Sequence, residues 1–454
     1  MVLPCYNRFE FKNFLKLKLS PYQVLVLSFM LLIILGSLLL STPWATATGQ
    51  RVPFIDALFT ATSAVCVTGL VVVDTGTYWS VFGQCVIILL IQCGGLGIMT
   101  MATLMMLLIG KKIHFRERLL MQEALKQLSV SGVVRLTLYI IKLTLFIEMV
   151  AGTILAFRWY KDLGWQGVYY GYWHSVSAFC NAGFDLFGGF RSLTGYADDI
   201  TVNLVITMLI ILGGIGFTVI ADIWQNRNFK KLSLHSKVVL VTTAFLIVFG
   251  MFGICLLEWE NPATLGALSL KGKLLAGYFQ SVTPRTAGYN TLDIGMLQNA
   301  TLFFIIGLMF VGASPGSTGG GVKTTTAGVL IMAIWTLVRG KQDVEIFGRR
   351  LSPTLVYKAF TIWFIASSLV IFVTMMMSIS EKAPFLNILF EVVSAFGTVG
   401  LSTGITPTLT ISGKCWLILT MFAGRVGPVT LALALALRQQ RAMVQYPEGK
   451  IIVG

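Results

Sequence analysis

Long uncharged apolar runs alternate along this chain with short basic segments. Val24 to Leu40, Leu204 to Ile220, Val238 to Leu257 and Trp363 to Ser380 are each nearly pure hydrocarbon. They approach the ~20 residues that cross a hydrocarbon core as a helix. Shorter apolar stretches lie between them. Phe54 to Cys66 makes ~20 Å of helix at 1.5 Å per residue, too little to span. Such a stretch must dip in and return, which lipid tolerates only where irregular backbone is buried in protein or lines a watery cavity. The pattern predicts a unit of one long helix, one short amphipathic helix and a second long helix.

That unit recurs. Four segments, FTATSAVCVTGL, WHSVSAFCNAGF, YFQSVTPRTAGY and FEVVSAFGTVGL, align on Gly69, Gly183, Gly288 and Gly400, which are 114, 105 and 112 residues apart. Ten positions before each glycine stands an aromatic: Phe59, Trp173, Tyr278 and Phe390. Six before stand Ser63, Ser177, Val282 and Ser394, and one after stand Leu70, Phe184, Tyr289 and Leu401. A second marker follows: Gly94-Gly95-Leu96-Gly97, Gly213-Gly214-Ile215-Gly216 and Gly424-Arg425-Val426-Gly427. The third unit has a longer glycine-rich stretch, Gly312 to Gly321, in its place. Two landmarks in register across four segments read as an internal repeat of about 110 residues. The boundaries expected are a 1–20 N-terminus, units at 21–110, 111–225, 226–338 and 339–437, and a 438–454 C-terminus. The fold class expected is an all-α polytopic membrane protein of eight transmembrane helices and four re-entrant loops around one pore.

Composition sharpens this reading. Of 454 residues, 56% are hydrophobic and 12% charged, with mean hydropathy +0.81. Soluble domains carry about twice that charge. Net charge is +15, and 22 of the 34 Lys and Arg fall in five segments on one expected face (1–20, 110–135, 225–237, 338–358 and 437–454). Nine fall on the other face, Arg285 among them, and Lys142, Lys323 and Arg425 sit at membrane depth. The asymmetry places both termini in the cytoplasm. The basic residues are dispersed and lack interleaved stacking aromatics, so nucleic acid is not the expected partner; membrane lipid is. The apolar start at Val24 is too long for a secretion signal and is read as a retained first helix. The seven cysteines form no CxxC and no even framework, so no disulfide or metal site is expected. Neither HExxH nor an acidic metal cluster at helical spacing occurs, so no enzyme is expected.

The anchor glycines point to a cation path. A dehydrated potassium ion needs oxygens that replace its hydration shell, and rings of backbone carbonyls supply them. Successive carbonyls point one way only if the backbone passes through conformations that glycine adopts cheaply. The expected ion-coordinating strands are Val67-Thr68-Gly69, Asn181-Ala182-Gly183, Thr286-Ala287-Gly288 and Thr398-Val399-Gly400, with K+ held by their carbonyls. The preceding short helices aim their negative ends at the same cavity. The plainer reading is that the glycines merely cap helices. Asp56, His174 and Glu391 lie in or near the short helices at places read as non-equivalent, with Asp56 a helix-dipole partner.

Charges at membrane depth are functional candidates. Arg425 should face the cavity just inside the filter, as an electrostatic barrier or latch; the alternative is a pairing with a carboxylate or carbonyl that holds helices together. In the third unit, Gly312, Ala313, Ser314, Pro315, Gly316, Ser317, Thr318, Gly319, Gly320 and Gly321, followed by Lys323, break what should be a spanning helix. They read as a gate below the filter, with a packing kink as the rival. Gly316 to Thr324 is a near miss to a phosphate loop, but Val322 separates Lys323 from the last glycine and no strand precedes it. Lys142, Glu148 and Asp222 are expected to snorkel or pair.

These motifs, VTGL, NAGF, RTAGY, GTVGL, GASPGSTGGGVKTTT and GRVGP, resemble the Trk/Ktr/HKT superfamily of potassium transporters, and the length is similar to its bacterial Ktr membrane subunit. The resemblance spans residues 20–454. It implies four pseudo-symmetric M1-P-M2 units, filter glycines at Gly69, Gly183, Gly288 and Gly400, a gating loop at 312–321 and Arg425 beneath the filter. It also implies a bacterial plasma-membrane protein and a homodimer, seated on a cytosolic ring of nucleotide-binding regulatory subunits (KtrA/KtrC-like). Lys111 to Arg116 and Arg339 to Arg350 could dock that ring. No cofactor is implied in the chain itself; potassium is the cargo, and sodium an activator. Gly69, where sodium-transporting relatives carry serine, favours potassium. The rival functions are a less selective sodium and potassium transporter or a cation-coupled symporter.

Overall fold

A computed structural model describes residues 21–97, 100, 133–427 and 430–431. The expected termini 1–20 and 438–454, and the basic stretch Lys111 to Arg116, lie outside the described residues.

Four long helices carry the spanning role: α1 (Pro21–Leu40), α5 (Val133–Leu163), α9 (Leu234–Glu258) and α13 (Pro353–Ser380). Each is the first helix, M1, of a unit. Large apolar side chains such as Leu31, Phe146, Phe252 and Phe364 stay exposed on them, as lipid-facing surfaces require. The short helices α2 (Phe54–Val65), α6 (Trp165–Phe179), α10 (Leu270–Val282) and α14 (Phe385–Gly397) are 12 to 15 residues long. They turn back within the protein and are buried along the half that leads to the anchor glycine. The remaining helices are α3 (Thr75–Tyr78), α4 (Val81–Leu96), α7 (Ile200–Gly214), α8 (Phe217–Asn226), α11 (Asn299–Phe310), α12 (Thr324–Val338) and α15 (Ile411–Val426). A two-stranded hairpin, β1 (Glu345–Ile346) and β2 (Arg349–Arg350), joins the third and fourth units. Its Arg350 pairs with Asp343 at 2.8 Å.

The second helices, M2, differ from expectation. Only the third was expected to break, yet every M2 stops at its glycine marker. Gly97, Gly216 and Gly427 have φ of 86°, 95° and 94°, a region open to glycine and costly to other residues. Between α7 and α8 the axis turns by 96°. The preceding glycines have a packing reason. A Cβ on Gly94, Gly213 or Gly424 would lie 2.0, 1.9 and 2.0 Å from the carbonyl oxygens of Val65, Phe179 and Phe396. Each marker thus lets M2 lie directly on the end of its own unit's short helix.

The repeat holds with one slip. In the third unit the buried aromatic is Phe279, not the half-buried Tyr278. The buried hydroxyl is Thr283, not Val282, and its Oγ1 donates to Tyr289 O at 2.5 Å. One residue fewer separates this hydroxyl from the glycine. The Ala287 N–H accordingly reaches back four residues to Thr283 O. Thr68, Ala182 and Val399 reach back five, to Ser63, Ser177 and Ser394.

Contacts between units close the ring. Trp173 Nε1 donates to Gln84 O at 3.3 Å across the first and second units. Tyr289 Oη donates to Phe184 O at 2.8 Å across the second and third. Lys414 and Asp56, 2.6 Å apart, join the fourth to the first. Asp56 is therefore an inter-unit ion pair as well as an N-terminal charge on α2.

Candidate ion pathway

The four anchor strands converge on one axis. A Cβ on Gly69 would meet Ala182 O at 2.4 Å, on Gly183 Ala287 O at 2.5 Å, on Gly288 Val399 O at 2.5 Å, and on Gly400 Thr68 O at 2.2 Å. Each glycine abuts the carbonyl that precedes the next unit's glycine, and the fourth returns to the first. That cyclic order is what separate helix caps facing four different loops would lack. The backbone repeats too. Val67, Asn181, Thr286 and Thr398 have φ of 57°, 60°, 66° and 50°, and the glycines two residues on have φ between 69° and 91°. A left-handed conformation in a non-glycine residue costs of order 1–3 kcal/mol; here it recurs at the same position in all four units. Alternating left-handed residues turn successive carbonyls to one side of the strand.

Buried side chains hold these strands. The N–H groups of Gly69 and Gly400 donate to Ser63 Oγ and Ser394 Oγ at 3.1 Å. Ser177 Oγ donates to Phe184 O at 2.9 Å. Asn181 Nδ2 reaches Thr286 Oγ1 and Arg285 O at 3.2 and 3.3 Å. Above the ring, a cavity of about 340 Å³ is lined by all four glycines and by Asp74, Asp185 and Asp293. Three carboxylates at its mouth raise the local concentration of cations. Asp185 lies in the loop outside the spanning helices. Burial pushes its carboxyl up to about 7, against a lowering hydrogen bond from Phe187 N–H.

Below the ring, the segment between α11 and α12 crosses the axis. A parallel bridge pairs Val311 with Val322, and Gly312 N–H donates to Val322 O at 2.8 Å. Ser314 and Thr318 N–H groups donate to Gly214 O and Gly213 O at 2.9 and 3.1 Å. Gly320 N–H donates to Thr398 Oγ1 at 2.9 Å. A Cβ on Gly319 would lie 2.0 Å from Thr286 Oγ1, so the segment touches anchor-strand threonines of two units. Lys323 Nζ curls back onto Gly319 O at 2.6 Å. Ser317 Oγ donates to Ser314 O at 2.6 Å, and Ala313 is fully buried. Pro315 and Gly316 lie against Gly216, with Gly316 O accepting from Phe217 N–H at 3.0 Å. Gly321 N–H donates to Gly424 O at 3.3 Å.

Arg425 ties this segment down. Its guanidinium donates to Thr318 O, to Gly94 O and, at 3.3 Å, to Gly95 O. Its partners are carbonyls of the crossing segment and of the first M2, and no carboxylate bonds it among the described residues.

Two sequence readings need correction, the placement of His174 and Glu391 and that of Arg285. His174 and Glu391 stand at the same place, each nine residues before its glycine and each just after the buried aromatic. Arg285, counted with the outer cations, is buried, and its Nη1 donates to Thr243 O at 3.3 Å, near the middle of α9. Glu148 does not snorkel; it is buried beside Gln92, whose Nε2 lies 3.2 and 3.1 Å from its oxygens. Asp222 accepts from Asn226, Ser233 and Ser236, which makes it a turn-capping carboxylate. Lys142 is exposed on α5. The equivalence of His174 and Glu391 was available from spacing alone; the burial of Arg285 was not.

Comparison with known proteins agrees with this architecture. A family model described as TrkH, cation transport protein, matches residues 9–446. The Ktr system potassium uptake protein B of Bacillus subtilis is 46% identical, over 96% of this chain and 97% of its own. The potassium/sodium uptake protein NtpJ of Enterococcus hirae is 41% identical, over 98% and 99%. The crystal structure of the potassium transporter TrkH from Vibrio parahaemolyticus superposes with a TM-score of 0.72, covering 93% of this chain and 86% of that one. At 18% identity that match speaks to the fold. The chain, a multi-pass membrane protein of four re-entrant units, belongs to the TrkH family of cation transport proteins.

Proposed function

We propose that this chain is the potassium-translocating membrane subunit of a Ktr-like uptake system, conducting in channel fashion through the filter of Val67 to Gly69, Asn181 to Gly183, Thr286 to Gly288 and Thr398 to Gly400. The observation that carries this reading is the closed cycle in which each filter glycine abuts the carbonyl before the next. Potassium sheds its water for those carbonyls, after concentrating in the acidic vestibule above. Gly312 to Gly321, with Lys323 and Arg425, close the path below. Opening requires the crossing segment to leave the filter threonines and Arg425 to release Thr318 O.

The same reading places the chain in a bacterial plasma membrane with both termini cytoplasmic and divides it into the four units bounded above. It assembles as a homodimer on a cytosolic ring of nucleotide-binding regulatory subunits, with sodium stimulating uptake. Support comes from the segregation of basic residues and from the names of the Ktr relatives. A second reading, a less selective sodium and potassium transporter, draws on the relative named for both ions. Expression in cells lacking potassium uptake, grown at low external potassium, tests the first reading. Growth should be restored and Rb+ uptake should exceed Na+ uptake. Equal Rb+ and Na+ uptake favours the second, and good expression without rescue removes both.

A further inference from the structure

The residue after the buried aromatic of each short helix is polar and buried: Thr60, His174, Gln280 and Glu391, at most 1% exposed. His174 and Glu391 bond the loops that follow their anchor glycines. His174 Nδ1 lies 2.7 Å from Tyr170 O, which only accepts, so Nδ1 carries the proton. Its Nε2 accepts from Leu186 N–H at 3.2 Å, so Nε2 carries a lone pair. The partners alone fix a neutral ring. Trp159, Trp173, Phe187 and Tyr289 pack around it. Glu391 does the same work in the fourth unit. Its Oε1 accepts from Thr403 N–H at 3.0 Å and Ser402 Oγ at 2.5 Å, and its Oε2 from Thr406 Oγ1 at 2.8 Å.

Leu186 and Thr403 are each the third residue past the filter glycine. Both side chains therefore grip the same backbone N–H, just where the filter strand leaves the ring. Thr60 Oγ1 and both polar atoms of Gln280 make no such bond. Since the glycines follow one another around the ring in chain order, the gripped strands, second and fourth, face each other across the axis. The other two strands also face each other and lack the grip.

We infer that His174 and Glu391 are a matched pair of positioning residues that stiffen one diameter of the filter, so that ion discrimination rests on the second and fourth strands more than on the first and third. The inference depends on the filter reading above. A ring nitrogen serves in one unit and a carboxyl oxygen in the other because each need only receive an N–H. A filter strand free to shift can contract around the smaller sodium ion, whereas a held one cannot.

The test measures the Rb+ to Na+ uptake ratio of the full-length protein in potassium-uptake-deficient cells, normalised to protein in the membrane. Loss of one such bond corresponds to about a threefold to tenfold change. His174→Leu and Glu391→Leu are each expected to lower the ratio by about that factor. Thr60→Val and Gln280→Leu should shift it less than about twofold, because they break no grip. His174→Gln and Glu391→Gln, whose amide oxygens can receive the Leu186 and Thr403 N–H groups, should recover most of the ratio. If His174→Leu fails to accumulate, Glu391→Leu and the two glutamine variants carry the decision. The inference is overturned if His174→Leu and Glu391→Leu lower both fluxes together with the ratio intact, or if Gln280→Leu lowers the ratio as much as they do. Failure of the wild-type protein to carry Rb+ would instead remove the proposed function.

Discussion

The proposed filter and the segment beneath it are both rich in glycine, and they use it in opposite ways. In the filter each glycine is wedged against a neighbouring strand's carbonyl, and the same backbone conformation recurs in four units. Every strand there is fixed by its own helix, by a buried side chain and by the strand beside it. The segment from Gly312 to Gly321 has no repeat to lean on. It is held by separate hydrogen bonds to the second unit, the fourth unit and Arg425. A structure with many redundant constraints has one geometry. One held by a few separable bonds can have two, which is what a gate needs.

The largest effect should come from breaking the redundant region. Gly400→Ser places a Cβ 2.2 Å from Thr68 O, at a φ of 90°. Rb+ uptake per molecule is expected to fall by at least about tenfold, a barrier change of about 1.4 kcal/mol, with a weakened preference over Na+. Unchanged uptake would mean that the strands do not form the path.

Next, Arg425→Ala removes the guanidinium from Thr318 O and from the first M2. Each bond from a charged group contributes about 1.5–3 kcal/mol. The closed state should weaken, and Rb+ flux without a regulatory partner should rise about tenfold or more. A fall in flux at equal expression would instead make Arg425 part of the conducting machinery. Deleting Gly316 to Gly320 sharpens the same point. Flux should rise and escape control, whereas unaltered conduction and control would leave the segment a packing kink.

Gly319→Ala is milder. Its Cβ would lie 2.0 Å from Thr286 Oγ1 and 2.6 Å from Ala313 Cβ. The crossing segment should be pushed from the filter, raising flux by a few-fold, an amount set by overpacking of about 1–3 kcal/mol. The smallest effect concerns the vestibule. The Asp185 carboxyl titrates near 7 because it is buried, so it is charged at pH 8 and neutral at pH 6. Acidifying the outside over that range should weaken apparent Rb+ affinity by about threefold or less, since surface fields are screened. Asp185→Asn should flatten that dependence, and a pH response unaltered in the variant would assign it elsewhere.

The relation of sequence to structure follows the same division. The helix–loop–helix unit, its fourfold repetition and the anchor glycines were legible because hydrophobic run length and glycine placement are local properties. The one-residue slip in the third unit was hidden because Tyr278 and Phe279 are both aromatic, so either fits the frame. The break in every M2 was signalled by glycines already noted as markers. Their left-handed conformation came with the packing of M2 onto Val65, Phe179 and Phe396.

By itself, then, the sequence determined a polytopic membrane chain of four similar units with a glycine-anchored strand in each. Hydropathy and periodicity are written into neighbouring residues, and the lipid acts on each segment alone. Only the tertiary structure decided that Arg425 bonds carbonyls more than a hundred residues away, that Arg285 is buried, and that His174 and Glu391 grip equivalent backbone N–H groups. Those outcomes depend on which segments meet around the axis, and no local pattern encodes the distance between groups brought together by folding.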